Sequence, residues 1–252
     1  MKSPRALAAE TERHPGLPAG AAERFSGYGV MGLPFASGHV LALRRFTASS
    51  IGPAYTSVWH RDPAGCWEFW QDQPDDQACS RYFGPALAGT HRARIELDWT
   101  GESTLQIAIA EAGFTWTVTL RSSAATHALN GIGAFMPERA WRAPAVLAVM
   151  GPAAGQVLRA GHVAMTGTAP AGQRFAVNPQ RIWLIARPSA RLGDQDFGPP
   201  RPLRQQARLG DFWIPQRGIF ALGRAFFAGP SAKGRGTASS PDHSNLFTER
   251  AG

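Results

Sequence analysis

Lysine is almost missing from this chain of 252 residues: Lys2 and Lys233 are the two, and none stands between residues 3 and 232. A Schiff-base enzyme, a pyridoxal enzyme and a P-loop enzyme each need a lysine held rigidly inside the fold, so all three classes are excluded. Cysteine is as sparse. Cys66 and Cys79 make neither a disulfide framework nor a zinc site with matching histidine spacing, and both read as free thiols. No segment approaches the roughly 20 apolar residues of a membrane span. The N-terminal MKSPRALAAETERHPGLPAGAAERF also lacks the apolar run of a signal peptide. The expectation is a cytoplasmic protein with no membrane insertion.

Acidic residues are outnumbered, 18 against 26 Lys and Arg, for a formal net charge of +8. Removing the two lysines leaves 24 arginines, scattered from Arg5 to Arg250 with no run longer than two. That pattern reads as a solvated basic surface, and no nucleic-acid partner is expected. A basic interaction module remains a third reading, set apart by having no cavity and by binding that falls steeply with salt.

Hydrophobic residues make up 44% of the chain, enough for a core. Residues 1–25, rich in Ala, Pro, Glu and Arg, and residues 229–252, rich in Gly and Ser, are expected to be disordered tails. Between them, residues 26–228 break into short apolar segments separated by turn signals, among them LALRRFTAS, YTSVWHR, CWEFWQD, TLQIAIA, FTWTVTLRS and RIWLIARPSARL. This spacing predicts an all-β fold, an antiparallel barrel or two packed half-barrels with a break near 124–155. Residues 93–121 read as a β-meander. Helix is expected only in PERAWR, opened by Pro137, and weakly near PLRQQARL.

Gly27-Tyr-Gly29-Val-Met-Gly32 matches the dinucleotide-binding fingerprint, but Pro34 follows at once and Ile51-Gly52-Pro53 occupies the place of the required acid. It is read as a loop entering the first strand. The histidines lack the close spacing from which metal sites are built, and no G-x-S-x-G is present. No cofactor and no metal are expected.

VWHRDPAGCWEFW, residues 58–70, is the most informative stretch. Asp62-Pro-Ala-Gly65 suits a type I turn with Gly65 at positive φ, which puts Arg61 opposite Trp67, His60 opposite Glu68, Trp59 opposite Phe69 and Val58 opposite Trp70. One face then carries His60 beside Glu68, with Val58 and Trp70 as apolar neighbours. Two readings stay open for the pair: a proton-transfer dyad in an apolar site, or an exposed cross-strand ion pair. Tyr82 in SRYFG, and Trp116, which the meander register sets opposite Ala108, are candidate pocket walls or core residues. Trp141, beside Glu138 on the expected short helix, is a candidate for closing one mouth of a barrel. His39, His91, His127 and His162 are read as strand-end or core residues.

The stretch MPERAWRAPAVLAVMGPAAGQVLRAGHVAMTGTAPAGQRFAVNPQRIWLIARPSARL, with YTSVWH and FTWTVTL upstream, resembles the lipocalin-like superfamily of carotenoid hydratases, AttH-type proteins and pericyclic cyclases of natural-product pathways. That resemblance covers residues 27–200 and implies one or two barrels enclosing a hydrophobic small molecule, often without a cofactor. The functional expectation is an isoprenoid or polyketide-like ligand undergoing a cofactor-independent cyclisation, isomerisation or hydration, with His60 and Glu68 handling the proton. Val58, Trp70, Tyr82, Trp116 and Trp141 would line its pocket. The alternative is a non-catalytic carrier of the same fold.

Overall fold

The computed structural model describes residues 2–137 and 140–229. Glu138 and the expected C-terminal tail beyond Gly229 lie outside them. The fold is all-β with minor helix: one strongly curled sheet and four short helices among the described residues.

The chain opens with helix α1 (Pro4–Arg13), capped by Ser3, whose hydroxyl accepts from the Ala6 amide, and started by Pro4 at its first position. This corrects the expectation of a disordered tail. Arg45 grips Glu12 with two hydrogen bonds of 2.9 Å, the Tyr28 hydroxyl donates to the same carboxylate at 2.9 Å, and Ala8 is buried. The bidentate ion pair and the buried Ala8 dock the helix against the first two strands.

Strands β1 (Glu23–Pro34), β2 (Val40–Ser49), β3 (Tyr55–Arg61) and β4 (Trp67–Gln71) follow as antiparallel neighbours. After helix α2 (Ser80–Phe83) come β5 (Gly89–Arg92), β6 (Glu96–Trp99), β7 (Thr104–Ile109) and β8 (Phe114–Arg121). Helices α3 (Ala124–Phe135) and α4 (Pro144–Leu158) precede β9 (Thr166–Thr168) and the long β10 (Arg174–Leu192). Short pieces β11 (Gln195–Asp196), β12 (Arg208–Leu209) and β13 (Phe212–Trp213) lead to β14 (Ile219–Ala228). The order across the sheet is β5-β4-β3-β2-β1-β14-β10-β8-β7-β6, with β9 and β11 also paired to β10. Its edges, β5 and β6, are consecutive in the chain, but no ladder joins them, so the sheet curls without closing.

Curling gives the sheet two different faces. The inner face is packed with Leu41, Leu43, Val58, Trp70, Ile107, Trp116, Trp183 and Phe220, drawn from most of the strands. Trp70 of β4 meets Phe114 of β8 at 5.8 Å between ring centres, although the two strands are far apart in the order. On the outer face of β2 and β3 a second cluster gathers Ala42, Tyr55, Trp59 and Phe69 under a cover of Tyr82, Phe83, Leu209, Phe212 and Ile214. Strand alternation assigns the faces, since successive side chains point oppositely.

The hairpin forms in the expected register, with Gly65 at φ 104° and the Asp62 amide donating to the Cys66 carbonyl. Elsewhere the structure differs from the sequence reading. The pair β4–β5 is parallel. Trp116 lies opposite Ile107 and not Ala108, because the turn Ala110–Ala112, closed by Gly113 at φ 60°, shifts the register by one. Among the described residues of PERAWR the structure shows a single 3-10 turn (Ala140–Arg142), PLRQQARL ends in β12, and the helices stand in the segment that offered a break between half-barrels. Beyond them β10 rejoins the same sheet.

Gly27 to Gly32 lies within β1 and not in a loop before it. A Cβ on Gly27 would overlap the Arg45 carbonyl, at a point where the β1–β2 register shifts. These glycines let two backbones pass closely, and no helix opens after them.

Candidate functional site

His60 and Glu68 are direct cross-strand neighbours, yet each finds another partner. His60 is 5% exposed and its Nε2 lies 2.7 Å from Nδ1 of His39. Its ring stacks at 5.5 Å on Trp70 and 5.7 Å on Phe197, while His39 stacks on Phe197 at 4.0 Å. Burial first, and the neighbouring imidazole second, push His60 down to about 4, and burial lowers His39 too. Both rings are therefore neutral at pH 7, one nitrogen of the pair donating and the other accepting. Glu68 is half-exposed and faces Nε2 of His91 at 3.6 Å. Among the described residues no hydrogen bond joins Glu68 to His60.

The five residues expected to line a pocket separate. Val58, Trp70 and Trp116 belong to the packed inner cluster, and Trp141 packs with Leu147, Ala154 and Met165 beside an open groove of about 550 Å³. Tyr82 alone borders the cavity that the structure does contain, one of about 140 Å³ on the outer face of the sheet.

Small residues stand along one wall of that cavity. On the β1–β14 ladder Gly27 lies opposite Gly223, Gly29 opposite Ala221, and Phe25 opposite Ala225. A Cβ on Gly223 would overlap the Asn178 carbonyl, so glycine is required there, and Gly27, Ala221, Gly223 and Ala225 all border the cavity. The walls are Phe46, Tyr55 and Trp59 from the sheet and Tyr82, Phe83 and Phe227 around helix α2. Leu158, Val163, Met165, Phe212 and Trp213 complete the cover. Few polar groups interrupt it. The Tyr55 hydroxyl and Cys79 Sγ lie 3.5 Å apart, and burial raises both above their usual range. The Tyr82 hydroxyl donates to Glu23 at 2.6 Å, and burial with that bond keeps it protonated. Asn178, 4% exposed, has a side-chain oxygen with no hydrogen-bond partner among the described residues, and it borders both the cavity and the open groove. Arg44, buried on the outer face of β2, and Arg224 of β14 also border it.

The hairpin drew the sequence reading to the inner face of β3, whereas the cavity lies against the Tyr55 and Trp59 side. One local signal marked it. Val40, Ala42, Arg44 and Phe46 share a face in LALRRF, and a charged residue in the middle of an apolar face is a buried cation waiting to be explained.

No family model matches the chain, and no curated protein is similar to it at a significant level. Among solved structures it is similar to a crystal structure of acetoacetate decarboxylase from Legionella pneumophila subsp. pneumophila str. Philadelphia 1. The identity is 12%, the TM-score 0.36, and the match covers 84% of this chain and 89% of that one. Among the described residues no three His, Cys, Asp or Glu side chains gather as a metal would require, and no helix is long and apolar enough to cross a membrane.

Proposed function

We propose that this protein is a cytoplasmic binder of a small hydrophobic molecule, held in the cavity between the outer face of the curled sheet and its cover. The observation that carries this reading is an aromatic-walled hollow of about 140 Å³, bordered by Asn178, whose amide oxygen has no partner among the described residues. Apolar cavities of that size stay dry and accept benzene-sized guests, and a lone buried acceptor supplies orientation. The likeness of sequence texture to lipocalin-like carriers and cyclases points to the same ligand class.

A carrier role fits this geometry better than catalysis by His60 and Glu68. A cyclisation, isomerisation or hydration run by that pair would need ligand on the inner face, where Val58, Trp70 and Phe197 already fill the space around His60. Residues 26–228 act as one binding unit in this proposal.

Trp59 and Trp213 border the cavity, so their fluorescence reports its occupancy. Small apolar probes are expected to quench or shift that emission saturably. Ala225→Phe, which puts a ring into the hollow, is expected to abolish the response while leaving the fold intact by circular dichroism. An unchanged response in the filled variant would refute the cavity as the site.

A further inference from the structure

The wall of this cavity carries a charge, Arg44, that no Asp or Glu among the described residues balances. Arg44 is only 6% exposed. Its guanidinium carbon lies 4.5 Å from the centre of the Trp59 ring and 5.4 Å from that of Phe212, a flat cation held between aromatic walls. Nη1 donates to the Leu43 carbonyl at 2.8 Å and to the Val30 carbonyl, and Nη2 reaches the Met31 carbonyl at 3.4 Å. These carbonyls are dipoles that fix the group in place where β1 bulges away from β2. They leave Nε–H and one Nη2–H without an acceptor among the described residues.

No Asp or Glu among those residues forms an ion pair with Arg44. The acidic groups that its charge acts on, the Cys79 thiol and the Tyr55 phenol, are kept protonated by burial and bring no negative charge. Burial lowers the guanidinium only to about 10, so it is ionised at neutral pH. A buried cation without a counter-ion is costly, and removing that cost is a source of binding free energy for an anion alone. Guanidinium presents two parallel N–H donors that match a carboxylate.

We propose that the cavity takes a small monocarboxylic acid with an apolar or aromatic tail, its carboxylate paired with Arg44 and its tail packed on Trp59, Phe212 and Tyr82. This rests on the reading of the cavity as the binding site. One carboxylate neutralises one guanidinium, and a volume of about 140 Å³ limits the tail to a ring or a short chain. Asn178, with its free amide oxygen, additionally favours acids that carry a hydroxyl or amine donor.

The test compares matched probes on the full chain by tryptophan fluorescence and calorimetry: phenylacetate and the C4 to C6 fatty acids against phenylethanol and the corresponding primary alcohols. The acids are expected to bind wild type on the order of tenfold or more tightly than their alcohols. Arg44→Met should bring the acid-to-alcohol ratio to near one while alcohol binding persists, and Arg44→Lys should keep a preference for acids. Should Arg44→Met not fold, the wild-type ratio and the lysine variant decide the matter. Alcohols binding wild type as tightly as acids, with Ala225→Phe abolishing both, would overturn the carboxylate assignment and leave the cavity standing. Absence of binding by every probe would overturn the cavity reading and this assignment with it.

Discussion

Acidification should weaken this fold well above the carboxylate range, and the buried pair His39–His60 sets the size of the effect. His60 titrates near 6.5 when unfolded and is pushed down to about 4 in the folded chain, chiefly by burial. The unfolded state therefore binds more protons between those values, so stability is full above about pH 7 and falls as pH drops through the window. For a single site with these two values the loss is about 2 kcal/mol by pH 5 and about 3 kcal/mol by pH 4. His39, lowered in the same direction, adds to it. Glu12 and Glu23, held below their usual 4.5 by Arg45 and by Arg81 with Tyr82 against the opposing effect of burial, contribute losses only below about pH 4.5. The interval from pH 5 to 7 thus isolates the histidines. Urea unfolding at half-unit steps, with wild type beside His60→Gln, measures the slope. Wild type should lose about 2 kcal/mol between pH 7 and 5, and the variant markedly less. A wild-type stability that is flat over that interval would refute the reasoning, because it would mean that His60 is not buried neutral.

Gly223→Ala should destabilise by about 1–3 kcal/mol in the same assay, because its Cβ meets the Asn178 carbonyl and backbone must move. Asn130 clamps helix α3 to β10, donating to the Ile182 carbonyl at 3.0 Å and accepting from its amide at 2.8 Å. Asn130→Ala should cost about 1–3 kcal/mol and raise amide exchange at Ile182 first. Glu12→Gln breaks the bidentate hold of Arg45 on helix α1. It should speed proteolysis within residues 4–13 while lowering global stability by no more than about 1 kcal/mol.

Much of the sheet was legible because its signals are local. Asp62-Pro-Ala-Gly65 fixes a turn, the turn fixes the register of β3 on β4, and the alternation of FTWTVTLR makes β8 plain. Where the outcome depended on partners, the sequence was silent. Helix α1 has a capping serine and Pro4, but whether it docks depends on Arg45 and Tyr28, which no pattern within residues 1–25 reveals. Trp116 moved by one position because a 3-10 turn replaced a tight hairpin. The site was harder still. Where both faces of the sheet are buried, as along β2 to β4, aromatic richness does not say which face is hollow, and VWHRDPAGCWEFW fills both faces. The small residues on the cavity wall, Gly27 opposite Gly223 and Ala225 opposite Phe25, come together only through a pairing between strands nearly 200 residues apart.

The central claim is that a small apolar molecule binds on the outer face of the sheet, and a crystal structure of the protein soaked with phenylacetate tests it most directly. Density is predicted between Trp59, Tyr82 and Phe212 with the carboxylate on Arg44, and His60 and Trp70 unmoved on the far side of β3. Density on the inner face against His60 and Trp70, with the outer hollow empty, would contradict it.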